Sequence, residues 1–175
     1  MKQACIHIYC GDGKGKSTAA MGLAVRAAGS NQKVVLTQFL KDGTSSELNI
    51  LRNIPQIKVF TCEEKFGFIW NMTEEQKAGA QKAFTDLFEK VTQTAVREHA
   101  FLLVMDEFIA AYGHGMIDRE KALKFLREKP ETLEVVLTGR DPEPELLELA
   151  DYVSEIQKKK HPFDRGLSAR KGIEL

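Results

Sequence analysis

Between the apolar run ACIHIY and the helix-forming AAMGLAVRAA lies CGDGKGKST, Cys10 to Thr18, in which glycine recurs at every second position from Gly11 to Gly15. A strand that ends in such a turn and continues as a helix aims successive backbone N–H groups at an anion, where the helix contributes partial positive charge. Gly11, Gly13 and Gly15 free the backbone of side-chain bulk, with Asp12 and Lys14 between them. Lys16 is placed to reach phosphate oxygens, the Ser17 hydroxyl to ligate Mg²⁺, and Thr18 to add a further phosphate contact. Gly11 through Thr18 are therefore expected to bind a nucleotide, with Lys16 stabilising the charge that develops during reaction. The pattern departs from G-x-x-x-x-G-K-[ST] only in its first glycine, replaced by Cys10 and followed at once by Gly11. A turn that merely ends a strand gives no reason for Lys-Ser at the helix start.

A phosphate loop that holds a metal also needs a carboxylate at the end of a neighbouring buried strand. LLVMDE supplies two, Asp106 and Glu107, after the most apolar run of the chain, where an open α/β sheet presents its ligand crevice. The expected metal set is Ser17, Asp106 and Glu107 around Mg²⁺; which acid touches the ion first is open, and ordinary strand-end capping is the plain alternative. Arg140 ends VVLTGR near the same crevice, either on phosphate or as an exposed strand-end arginine. The four histidines, His7, His99, His114 and His161, are scattered, and no activated nucleophile with its base is evident.

These residues need a sheet to position them. Ala4 to Cys10, Lys33 to Phe39, Ile57 to Cys62, Ala100 to Asp106 and Glu134 to Thr138 read as strands, with Tyr152 to Ile156 a weaker sixth. The near-continuous apolar character of AFLLVMD and EVVLT predicts cover on both faces. Helices are expected over Lys16 to Ala28, from a capping box at Thr73 and Gln76, from Asp118 through Leu126, and from Pro142 or Pro144. In the second of these, Phe84, Leu87, Phe88, Val91 and Ala95 keep helical spacing. Gly43 to Ser46 and Glu63 to Asn71 read as loops, and the basic segment from Lys158 to Leu175 as a polar tail that could frame an anion. Strands alternating with helices predict an α/β fold: one domain over residues 1–175 with a mostly parallel sheet and helices on both faces.

Composition narrows the partners. In 175 residues, 25 Lys plus Arg balance 25 Asp plus Glu, so no overall field favours nucleic acid. Cys5, Cys10 and Cys62 are odd in number and widely spaced, which predicts thiols in a reducing compartment. No signal-like segment or membrane-length apolar run is seen, so a cytoplasmic enzyme is expected.

YCGDGKGKSTAAMGLAVRAAG, TQFLK, VMDE, VVLTGR, LADYVSEI and KHPFDRGLSARKGIE together resemble, in order and spacing, the P-loop type of ATP:corrinoid adenosyltransferase. The resemblance spans most of the chain, and what makes it specific is the P-loop in combination with the Thr-Gly-Arg strand end at 138 to 140 and the tail motif. It implies a recombinase-like P-loop NTPase fold, Mg²⁺ as cofactor and ATP as co-substrate. The implied reaction is attack by Co(I) of a reduced corrinoid on the 5′ carbon of ATP, releasing triphosphate. It implies ATP reversed along the loop so that the ribose carbon faces the corrinoid, a homodimer, and a flavoprotein reductant as partner. It places Phe68 and Trp70 of GFIW against the corrinoid, displacing the lower axial ligand so that Co(II) is more easily reduced. Their other reading is an aromatic staple on the helix from Thr73. With so few residues before the first strand, the N-terminal helix with which longer relatives cover the corrinoid is expected to be absent. Arg26 and Gln38 also match the family pattern, and His161, Arg165 and Arg170 either approach the ligands or form a solvated tail.

Two other functions fit parts of the sequence. A P-loop ATPase or kinase of unrelated substrate would use the loop, the acids and Arg140 but gives no reason for the tail motif. A nucleotide-binding regulatory module would use Phe68 and Trp70 as a partner patch.

Overall fold

Strand-forming runs in this chain are short, most of them apolar, and helical segments separate them. The computed structural model describes residues 4–174 apart from 42, 63, 65 and 67–70. In chain order the elements are β1 (Ile6–Cys10), α1 (Lys16–Gly29), β2 (Val34–Gln38), α2 (Leu48–Leu51), β3 (Ile57–Thr61) and α3 (Glu74–Arg97). They continue with β4 (Leu102–Asp106), α4 (Phe108–Gly113), α5 (Arg119–Glu128), β5 (Glu134–Thr138), α6 (Pro144–Leu149) and β6 (Tyr152–Glu155). A 3₁₀ turn, Pro162–Arg165, follows in the tail.

The strands form one sheet in the order β3-β2-β4-β5-β1-β6, with every neighbouring pair parallel. Alternation along each strand divides its side chains between two cores. Leu102, Val104, Leu36 and Val136 meet the alanine face of α1 (Ala20, Ala24, Ala27), whose small side chains let the helix lie close to the sheet. Leu103, Met105, Val135 and Leu137 meet the opposite cluster, which includes Phe84 and Phe88 of α3, Tyr112 of α4, Leu126 of α5 and Leu146 of α6. Both faces are covered, as the apolar strands required. Truncating a side chain such as Leu103 to alanine would cost about 2–5 kcal/mol.

The strand order brings the chemistry together. β5 lies between β1 and β4, so the loop after β1 and the acids after β4 flank the end of β5. β2 is the other neighbour of β4, with Gln38 in register with Asp106.

Helix boundaries follow local capping. Thr73 and Gln76 form the reciprocal capping box at the start of α3, and Asp118 accepts from Lys121 N–H to start α5, which runs on to Glu128. Pro144 rather than Pro142 opens α6. β6 is exposed at all four residues yet pairs with β1 from His7↔Tyr152 to Cys10↔Glu155. Two short helices, α2 and α4, add to the predicted set. Among the described residues no helix is long and apolar enough to cross a membrane.

Candidate functional site

The glycine loop is shaped by its neighbours before it meets any ligand. Gly11 N–H donates to the Arg140 carbonyl at 3.1 Å and Gly13 N–H to the Ile156 carbonyl at 2.7 Å. A Cβ at Gly11 or Gly13 would lie 2.5 or 2.6 Å from Ile156 O, so these glycines admit the chain leaving β6. Gly15 differs: its φ is +121°, nothing lies within 4 Å of its ideal Cβ, and it serves as N-cap of α1. From there the loop runs into a 14-residue helix whose first N–H groups are available to an anion. Lys16 Nζ folds back on the Gly13 carbonyl at 2.8 Å. Burial lowers the Lys16 pKa and the nearby Arg140 charge adds to this, with Glu107 and Asp12 opposing. Asp12 is exposed, accepts Lys158 N–H at 2.8 Å and is held below its ordinary pKa chiefly by that bond. Asp12 therefore braces the loop against the tail.

The two acids after β4 occupy different environments. Asp106 is fully buried; its Oδ1 accepts from Thr138 Oγ1 at 2.7 Å, and its Oδ2 from Lys41 Nζ at 2.9 Å and Gln38 Nε2 at 3.1 Å. Glu107 takes a left-handed φ of 58°, donates its N–H to Thr138 Oγ1 at 3.0 Å, and turns the chain directly into α4. Its carboxyl pKa is raised by burial and by the Asp106 charge, while Lys41, Lys16 and Arg140 pull the other way.

A cavity of about 1190 Å³ opens at this edge of the sheet. Gly13 through Thr18 and Glu107 line it, as do Leu40, Phe66, Met72 and Phe84, so it joins a phosphate-type loop to an apolar wall. Asp106 is not among the described residues lining it. Arg140 is exposed at the end of β5, close enough to Lys16, Glu107 and Asp12 to shift their titrations. Phe68 and Trp70 lie outside the described residues. Sequence reasoning gave no role to Lys41 or Thr138, which TQFLK and VVLTGR held only as family segments; the tail, read as able to frame an anion, does return to the cavity, but it is Gly172, Ile173 and Glu174 that line it.

For Mg²⁺ the donor chemistry fits. No cluster of three His, Cys, Asp or Glu capable of holding a metal occurs among the described residues, and Mg²⁺ is commonly held by one or two carboxylates together with substrate phosphates rather than by an all-protein cage. Ser17 and Glu107 offer hard oxygens on the same cavity.

A profile of the family ATP:corrinoid adenosyltransferase BtuR/CobO/CobP matches residues 2–175. The chain belongs to that family. It is 33% identical over 171 residues to the corrinoid adenosyltransferase of Pseudomonas aeruginosa, covering 96% of this chain and 82% of that one. It is 33% identical over 175 residues to the corrinoid adenosyltransferase of Escherichia coli, covering 99% and 86%. Among solved structures, ATPases 2 and 3 of EssC from Geobacillus thermodenitrificans superpose with a TM-score of 0.54 at 17% identity, over 97% of this chain and 35% of that chain. A KaiC-like protein from Pyrococcus horikoshii gives 0.51 at 14% identity, over 91% and 75%. These structural likenesses support the P-loop NTPase fold.

Proposed function

We propose that this chain transfers the 5′-deoxyadenosyl group of ATP to Co(I) of a reduced corrinoid and releases triphosphate. The observation that carries the reading is a single cavity, in a member of this family, that joins the Lys16–Ser17 phosphate loop to an apolar wall. The cobalt electron pair forms the cobalt–carbon bond, the bond from C5′ to the α-phosphate oxygen breaks, and its electrons leave on triphosphate. Co(I) is a strong nucleophile, so the protein's task is alignment and stabilisation of the leaving group. Lys16 and the N–H groups from Gly15 onward would bind the polyphosphate, with Thr18 beside them and Arg140 at the rim. Ser17 and Glu107 would hold Mg²⁺, which when bound supplies charge neutralisation to the triphosphate. Leu40, Met72 and Phe84 offer a dry wall beside the phosphates, and Phe68 and Trp70 would press on the axial face of the corrinoid by family resemblance. The same reading has one domain over residues 1–175, acting as a cytoplasmic homodimer that receives electrons through a flavoprotein.

Incubation with ATP, Mg²⁺ and chemically reduced corrinoid, following the visible spectrum and the phosphate product together, tests the reaction. Triphosphate formed in step with the cobalt–carbon spectrum is expected. ADP and phosphate without a cobalt–carbon bond would replace this reading with an ATPase or kinase.

A further inference from the structure

β2 and β4 are register neighbours, and a left-handed non-glycine residue follows each, Leu40 at φ 56° two residues after β2 and Glu107 at φ 58° directly after β4. A branched or long side chain in that region carries backbone strain. The turn at Leu40, with Phe39 N–H donating to the Asp106 carbonyl at 2.9 Å, brings Lys41 back over β4. Its ammonium donates to Asp106 Oδ2, the carboxylate being fully buried and the lysine side chain 30% exposed. Burial works against the Lys41 charge, and Asp106, with the Glu107 and Glu47 charges, more than offsets it, leaving the lysine pKa raised. Among the described residues Asp106 is its one hydrogen-bond acceptor, and an ammonium has three donors. Lys41 also lines the cavity with Lys16, Ser17 and Thr18.

We propose that Lys41 is a second lysine of the triphosphate site, donating to phosphate oxygens, while Asp106 holds that ammonium in place instead of ligating the metal. The inference rests on the adenosyl-transfer reading, because there the whole triphosphate departs and charge grows over all of it. Oδ1 is engaged by Thr138 and Oδ2 by Gln38 and Lys41, so Asp106 is already committed on both oxygens. Glu107, on the cavity, is left as the acid for the cation.

Inorganic triphosphate, titrated calorimetrically with and without Mg²⁺ and with no corrinoid present, is the probe. Lys41→Met alone strands a buried carboxylate, so the decisive variant is the double Lys41→Met with Asp106→Asn, which removes both charges; thermal unfolding checks that it is folded. It should bind triphosphate on the order of 10–100-fold more weakly than the parent, in both metal conditions, the range expected for charge-assisted hydrogen bonds. Lys41→Arg, which keeps charge and donors, should retain most of the affinity. Parental affinity in the double variant would reduce Lys41 to a counter-ion for Asp106 and overturn the proposal. A loss confined to the Mg²⁺ titration, in the double variant or in Asp106→Asn, would make the cluster a metal site and overturn it equally. A parent protein that binds triphosphate yet forms no cobalt–carbon bond would instead sink the transferase reading and leave the lysine's role standing.

Discussion

The two sides of the cavity are built by opposite means. After β1 the loop is set by backbone: glycines admit the Ile156 carbonyl, and main-chain bonds to Arg140 and Ile156 fix its course. After β4 the acids are set by side chains: Thr138, Gln38 and Lys41 converge on one buried carboxylate. The first side should tolerate changes of exposed side chain but not an added Cβ. The second should tolerate small backbone adjustments but not the loss of a single polar atom, because a buried group without its partner carries its full desolvation penalty.

The largest effect is expected where the backbone-built side presents the lysine that opens α1. Lys16→Ala should lower turnover by on the order of 10²–10³-fold, the usual loss when a group that stabilises developing charge is removed. Its folded stability should stay near the parent's, since in the described structure Lys16 Nζ bonds only its own loop, at the Gly13 carbonyl. Initial rates of triphosphate release measure it. Near-parental rates would remove Lys16 from the phosphate site.

Next comes the added methyl. In Gly13→Ala the new Cβ would sit 2.6 Å from Ile156 O, a backbone atom, so the loop or the end of β6 must move. We expect about 3 kcal/mol of destabilisation by urea titration, at the upper end for overpacking a tight site, together with loss of nucleotide binding. A stable Gly13→Ala protein would show that the β6 end yields easily and that the loop is not backbone-locked.

The matching change on the other side is Thr138→Val, nearly isosteric but without the hydroxyl that serves both Asp106 Oδ1 and Glu107 N–H. It should cost about 2 kcal/mol, the penalty for leaving buried polar groups short of a partner. If Thr138→Val costs nothing while Gly13→Ala does, the side-chain network is held by Lys41 and Gln38 alone.

The difference between the two sides also decided what the sequence could disclose. A loop built from backbone needs glycine at fixed spacing, so Gly11, Gly13, Gly15, Lys16 and Ser17 were readable in one local stretch. Asp106 and Glu107 were readable as a pair of acids, but not their separation into a buried anchor and a cavity-facing acid. That separation depends on β5 and β2 lying on either side of β4, an order no local pattern encodes; only with it do Thr138 and Lys41 reach Asp106. The long helices were legible from caps and period. α2 and α4 have four and six residues, too few to display a helical period, and α4 starts from a left-handed glutamate no propensity would choose. β6 read weakly because an exposed edge strand lacks the apolar run that marked its neighbours.

The tail is a third kind of construction, held by charge at the surface, and the smallest effect is expected there. Arg170 donates to Glu174 from Nη2 at 2.9 Å, Nε at 3.2 Å and its backbone N–H at 2.9 Å. These contacts, the side-chain bond first, hold the Glu174 carboxyl down to about 2. A folded-state pKa below the unfolded value of about 4.3 means the contribution to this turn of the tail is fully present above that value and is lost as pH falls through about 2. Carbon NMR of the Glu174 carboxyl at pH near 3 should therefore show it ionised when an ordinary glutamate is mostly protonated. Glu174→Gln should leave the neutral-pH melting temperature almost unchanged, because exposed ion pairs contribute little to global stability. Protonation at the ordinary glutamate pH in the folded protein would mean that the Arg170–Glu174 turn is not formed in solution, a local change within the tail that leaves both walls of the cavity as they are.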